Sequence, residues 1–306
     1  MRSVEILEVS PRDGLQLEKT ILPTAMKVEL IERAIAAGLR RVEVASFVNP
    51  ARVPQMADAA DVLAALKHRD GVVFTGLVLN RKGAERALRA GCDEIGMVVV
   101  ASDTFNRRNQ GASTEESIAT WVEVAAMARE AGIRAQVTIA ASFGCPFEGE
   151  VPLERVVEIA RQVAVAQPFE ICFADTIGVG VPLQIRRLLE RARRALPDTR
   201  LRCHFHNTRN TGIANAIAAV EAGVTTLDSS AGGIGGCPFA PAATGNIATE
   251  DLIYVLERSG IHTGVSLPGM IDVAKWLGHQ LGRATPGMLS KAGPFPNSPS
   301  TVSETA

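Results

Sequence analysis

Short runs rich in β-branched residues alternate along this chain with longer stretches whose apolar positions recur every three to four residues. The first pattern predicts strands and the second helices. The strand-like runs fall at 4–9, 41–45, 72–77, 94–100, 134–140, 170–174, 201–206 and 225–229. Between them, "TAMKVELIERAIAAGL" predicts a helix with Thr24 as N-cap and Gly38 as its stop. "STEESIATWVEVAAMAREAGI" opens with the capping-box pair Ser113 and Glu116 and closes on Gly132. An Ala-Gly pair precedes a strand at Gly38, Gly91, Gly132 and Gly223, the stop-and-start punctuation of a βα repeat.

Eight such repeats predict a (β/α)8 TIM barrel, an α/β fold. The rival, a doubly wound open sheet, needs a Gly-rich first turn for a nucleotide. The first turn here is "SPRDGLQLEK", without that motif. Two further helical segments follow at 250–259 and 269–281. The expected organisation is therefore one catalytic domain over residues 1–290, with its C-terminal helices, and a flexible Pro/Ser-rich tail over 291–306.

Composition narrows the function. The chain has 306 residues, 46% of them hydrophobic, which is enough for a large core. Its formal net charge of −1 argues against nucleic acid or an anionic membrane as partner. No apolar run approaches the roughly 18 residues of a membrane span. The chain enters a strand within its first few residues, so no signal peptide is expected. Five dispersed cysteines without CxxC spacing read as reduced thiols, and hence a cytoplasmic protein.

In a barrel, catalytic groups gather where strands end. Arg12 and Asp13 follow the first strand, Glu43 lies on the second, Asp175 ends the sixth, and His204 and His206 end the seventh. Cys237 and Asn246 follow the eighth. Alternate residues of a strand share a face, so His204-Phe205-His206 points two imidazoles one way. They are either exposed or, with Asp13 and Asn246, ligands for a divalent metal. Two nitrogens and two oxygens with room for substrate suit Mg²⁺ or Mn²⁺ better than a closed zinc site. Arg12 offers a planar fork to a carbonyl or enolate oxygen, or else forms an ion pair with Asp13 or Glu18. Glu43 either anchors Arg12 or reaches the metal through water. For Asp175 a supporting partner, a base and a helix N-cap are all open. Cys237, in "GGIGGCPFAPAATGN", is open as nucleophile, ligand, proton carrier or small residue.

With these residues assembled, "PRDGLQLEK", "VEVASFVNPARVPQMAD", "GCPFEG", "DTIGVG" and "GGIGGCPFAPAATGN" together resemble the 3-hydroxy-3-methylglutaryl-CoA lyases, of the HMGL-like (DRE-TIM) metallolyase group. The resemblance spans roughly residues 4 to 290. It implies a homodimer of TIM barrels that cleaves an acyl-CoA to acetyl-CoA and a keto acid by a retro-Claisen step. It also implies metal ligation by Asp13, His204, His206 and Asn246, carbonyl polarisation by Arg12 with Glu43 in support, and proton transfer or its positioning by Asp175 and His204. Cys237 becomes the cysteine of a mobile loop. The chain departs from the family pattern at "HFHNTRN", where Asn207 and Arg209-Asn210 replace an Asp and a Tyr-Gly pair, and at Cys172, which replaces a serine. Arg209 is either a solvent-facing helix-start residue or a partner for a differently placed substrate carboxylate, the alternative substrates being citramalyl-CoA or a longer 3-alkyl-3-hydroxyglutaryl-CoA. A condensing relative of the isopropylmalate synthase kind would carry a long C-terminal extension. A non-catalytic sensor would be expected to lose Arg12 or Cys237.

Overall fold

The computed structural model describes residues 2–67, 70–236 and 245–295. Eight parallel strands close into a barrel in sequential order. They are β1 (Glu5–Glu8), β2 (Arg41–Ser46), β3 (Val73–Val78), β4 (Glu94–Val100), β5 (Arg134–Ala140), β6 (Ile171–Asp175), β7 (Leu201–Phe205) and β8 (Thr226–Ser229). Closure comes from β1 against β8, with Leu7 opposite Asp228 and Glu8 opposite Ser229. The predicted barrel is thus present, with most strand ends within a residue or two of expectation. His206 lies just beyond β7 and forms an isolated antiparallel bridge with Asn246.

Helix boundaries follow the expected chemistry with one exception. Ser113 and Glu116 make the full capping box of helix Thr114–Glu130, with Glu116 N–H 3.1 Å from Ser113 Oγ and Ser113 N–H 2.6 Å from Glu116 Oε2. The Ala-Gly glycines all take positive φ, from 72° at Gly132 to 113° at Gly38. Thr24, however, is the first helical residue and not the cap. Its hydroxyl instead donates to Asp58 Oδ2 at 2.8 Å, because Pro23 before it already sets the helix entry. The expected tail also begins in structure: helix Leu289–Ala292 is held by Asp251, which accepts from the N–H groups of Met288 and Leu289 at 2.8–3.0 Å. No helix among the described residues is long and apolar enough to cross a membrane.

The apolar core lies mainly between the strands and the surrounding helices, with Trp121, Ile159, Leu189 and Leu252 buried in it. The barrel interior is ionic. Arg41 Nη2 reaches Glu94 Oε1 at 2.7 Å and Glu170 Oε1 at 2.5 Å, all three side chains being at most 1% exposed. Thr75 Oγ1 and Gln136 Nε2 also donate to Glu94 Oε1, at 3.1 and 3.2 Å. Arg202 continues the network: Nη1 grips both oxygens of Asp228 at 2.5 and 2.6 Å, and Nη2 donates to Gln136 Oε1. Burying charge is tolerable only when each group is paired, and a guanidinium has enough donors to pair several neighbours at once. Removing one partner strands the others. Arg41→Met should therefore cost about 3–5 kcal/mol in urea unfolding, well above a surface substitution.

Candidate active site and metal centre

The turn after β1 is a π-helical turn, Ser10–Gly14, with Pro11 at its start where a missing N–H costs nothing. Its frame is a buried carboxylate. Glu8 Oε1 accepts from Ser10 N–H at 2.9 Å and from Ala231 N–H at 2.9 Å, and Oε2 accepts from Thr249 Oγ1 at 2.7 Å. One side chain thereby ties the Arg12–Asp13 turn to the segment after β8. On β2 a register shift between Glu43 and Ala45 marks an irregularity in the pairing with β3. Glu43 lines the same cavity as Arg12 and Asp13.

These residues meet at the C-terminal mouth of the barrel, in a cavity of about 560 Å³. Arg12 Nε and Nη2 both reach Glu43 Oε2, at 2.7 and 2.5 Å, and Nη1 reaches Asp13 Oδ1 at 2.6 Å. Those contacts use three of the five N–H groups of a guanidinium and leave two for another oxygen. Arg12 is therefore ion-paired and still has donors to offer. Glu43 anchors Arg12 directly. Burial pushes the Glu43 carboxyl above its ordinary range, against the pull of Arg12.

Asp13, His204 and His206 bring one ligand atom each to within 4.8 Å of one another. Burial would raise the Asp13 carboxyl, but Arg12, His204 and His206 draw it down to about 2. Burial first, and His204 second, push the His206 imidazole down to about 3, so it is neutral and able to bind a metal near pH 7. Burial works to lower His204 too, but its hydrogen bond to Asp228 prevails and raises it.

Asn246 completes the set. Its amide Nδ2 donates to Asp13 Oδ2 at 2.9 Å and to the Ile234 carbonyl at 3.0 Å. Two acceptors on that side fix the amide's orientation, and they leave Oδ1 buried without a hydrogen-bond partner among the described residues. His206 Nδ1 is likewise buried without one. Orphaned buried acceptors beside a carboxylate are what a cation would satisfy.

Other candidates land elsewhere. Asp175 ends β6, where burial pushes its carboxyl above the ordinary range, against the lowering effect of the Val179 and Gly180 N–H groups and of His204. There it accepts from the N–H groups of Val179 and Gly180, both at 2.9 Å, and shapes the turn after β6. Arg209 is exposed and does not line the cavity, and its Nη1 donates to the carbonyls of Ile177 and Gly178, both at 3.0 Å. Asn207 accepts from Gly212 N–H at 3.1 Å, at the start of helix Gly212–Glu221. Cys172 is fully buried on β6, where burial raises its thiol far above its ordinary value. Cys145 is buried too, and accepts from Ser102 Oγ at 2.9 Å. Cys237 lies outside the described residues.

Its two flanks are described. Ala231 and Gly232 donate N–H to Glu8 and Glu250 respectively, each at 2.9 Å. Gly235 and Gly245 come together where the segment leaves and returns: a Cβ on Gly245, whose φ is +94°, would fall on the Gly235 carbonyl. Asp228, which sequence reasoning missed, accepts from His204 Nδ1 at 3.1 Å. No motif marks it. Only the register, His204 opposite Asp228 across β7 and β8, brings the two together.

The fold and the site define a (β/α)8 barrel enzyme with a candidate metal centre at its catalytic mouth. The chain belongs to the HMGL-like family, whose model matches residues 3–277. It is 45% identical over 304 residues to a (R)-citramalyl-CoA lyase of Chloroflexus aurantiacus, covering 96% of each chain. It is 44% identical over 284 residues to a hydroxymethylglutaryl-CoA lyase of Pseudomonas mevalonii, covering 93% of this chain and 94% of that one. Among solved structures, an HMG-CoA lyase from Acinetobacter baumannii in complex with coenzyme A and 3-methylmalate superposes with a TM-score of 0.92 at 37% identity, covering 97% of both chains. The chain is thus an enzyme of the carbon–carbon lyase type.

Two outcomes test this geometry. His206→Ala should lower bound divalent metal at least tenfold by elemental analysis, with the fold retained by circular dichroism. Glu250 is a carboxyl that burial raises from 4.5 to about 8. Such a group holds its proton in the folded state and loses it in the unfolded one between those values, so it destabilises the fold as pH rises. The stability difference between Glu250→Gln and the parent should therefore move in the variant's favour from pH 4.5 through 8, measured by urea titration at each pH.

Proposed function

We propose that this chain is a divalent-metal-dependent lyase that cleaves 3-hydroxy-3-methylglutaryl-CoA to acetyl-CoA and acetoacetate, with Mg²⁺ or Mn²⁺ as the metal. The observation that carries this is the Asp13–His204–His206 cluster beside an Arg12 that keeps two unspent N–H groups. Asp13, His204, His206 and Asn246 would hold the metal. When bound, it supplies Lewis-acid polarisation of substrate oxygens.

The chain's own residues account for the rest. A base takes the C3 hydroxyl proton, with Asp175 and His204 the residues proposed for that transfer or its positioning, and the freed electron pair forms the ketone as the C2–C3 bond breaks. The electrons of that bond pass into the thioester, which becomes the enolate of acetyl-CoA. Negative charge grows on the thioester oxygen, and Arg12 meets it with donors whose direction Glu43 and Asp13 have already set. Such prepositioning costs no reorganisation during the step. Glu43, buried and ion-paired, prevents the guanidinium from swinging towards solvent. A proton then returns to C2. Cys237 is assigned as its donor, since an ordinary thiol, with pKa about 8.5, carries its proton at neutral pH.

The citramalyl-CoA lyase at 45% identity favours a second reading, with that acyl-CoA as substrate. The two substrates share the thioester, the tertiary hydroxyl and the scissile bond, and differ by one methylene before the distal carboxylate. Arg209 offers no ground for choosing between them, because it does not line the cavity and its Nη1 rests on backbone carbonyls. Acetyl-CoA release from each substrate with added Mg²⁺ decides between them. A kcat/KM at least tenfold higher for 3-hydroxy-3-methylglutaryl-CoA is expected. The reverse preference establishes the second reading, and no release from either overturns both. Cys237→Ala should lower kcat about 100-fold or more with metal content unchanged; full activity in that variant removes the cysteine from the mechanism.

A further inference from the structure

The two histidines of the candidate metal centre are held in different ways. His206 has a buried Nδ1 without a hydrogen-bond partner among the described residues, while His204 Nδ1 lies 3.1 Å from Asp228 Oδ2. Asp228 is itself clamped. Arg202 Nη1 contacts both its oxygens, at 2.5 and 2.6 Å. Arg202 is fixed in turn from three sides: Gln136 Oε1 accepts from Nη2, Thr138 Oγ1 lies 3.3 Å from Nη2, and Glu170 Oε1 lies 3.0 Å from Nε. Arg202 and Asp228 are 2% and 5% exposed. A line of buried contacts thus runs across the barrel from β5 to β8 and ends on one imidazole.

We propose that Asp228 and Arg202 are positioning residues for the metal centre, acting only through His204. Asp228 accepts a hydrogen bond from Nδ1–H, which leaves Nε2 of His204 with its lone pair free and the ring at a set angle. Arg202 prevents Asp228 from rotating away, and its charge keeps the carboxylate ionised, so that it accepts a hydrogen bond. A carboxylate behind a ligand histidine raises the basicity of the ligand and removes its rotational freedom, and losing such a partner typically costs 10- to 100-fold in metal affinity. This inference rests on the metal centre proposed above.

The test is Mn²⁺ binding to the full-length protein, followed by electron paramagnetic resonance, with no substrate present. Binding to the parent at the expected one ion per chain supports the metal centre; failure of the parent to bind overturns the metal reading itself and the inference with it. Given a parent that binds, Asp228→Asn should raise the Mn²⁺ dissociation constant roughly 10- to 100-fold. Arg202→Gln should raise it as well, by less. Because Arg202 acts through Asp228, the double variant should bind no more weakly than Asp228→Asn alone. Additive losses would mean that the two residues merely support the barrel, and would overturn the proposal. An unchanged dissociation constant in a folded Asp228→Asn would do the same. If Asp228→Asn does not fold, Thr138→Val, which removes one contact on Arg202, should still weaken Mn²⁺ binding in the same direction. Unchanged binding in that variant counts against the proposal.

Discussion

The structure depends on charge buried inside a closed barrel. Arg41 and Arg202 sit where branched apolar side chains ordinarily fill the layers of such a fold. Each bridges carboxylates from several strands, so every group in the network limits the freedom of the others. Replacing such a network with apolar residues is often neutral or better for stability. Its presence here makes sense as geometry. It delivers a carboxylate, Asp228, to the back of His204, and an apolar interior has no means of doing that.

The same logic continues upward into the mouth. Arg12 is held by Glu43 and Asp13, and Asp13 is shared with Asn246. Asn246 in turn faces the Ile234 carbonyl, at the stem of the segment that carries Cys237. The group proposed to stabilise the enolate and the candidate metal ligands therefore form one continuous set of contacts. Disturbing any member would be felt by the others. Glu8 reinforces this from below, since a single buried carboxylate fixes the turn bearing Arg12 and Asp13 together with Ala231, the second residue after β8.

Specificity for the acyl group follows less directly. The residues that depart from the family pattern, Asn207, Arg209 and Cys172, are all occupied structurally: two on turns and one in the interior. Departure from a pattern therefore does not by itself mark a substrate contact. The relatives named for 3-hydroxy-3-methylglutaryl-CoA and for citramalyl-CoA differ by one percentage point of identity to this chain, too little to rank two substrates that share the same reacting atoms.

Local chemistry was legible in the sequence. Alternating patterns and Ala-Gly punctuation specified eight βα units, because strand and helix periodicities are properties of neighbouring residues. The capping box at Ser113 was legible for the same reason. So were Arg12, Asp13, Glu43, His204, His206 and Asn246, which stand at strand ends in a fold that gathers strand ends. The tertiary structure decided what depends on the register between strands distant in sequence. It placed the Asp175 carboxyl on the N–H groups of Val179 and Gly180, set Arg209 Nη1 on two backbone carbonyls, and brought Asp228 beside His204. Periodicity can say which face of a strand a side chain occupies. Only closure of the barrel says which side chains of other strands stand beside it, and that proximity determines whether a carboxylate is a base, a cap or a brace.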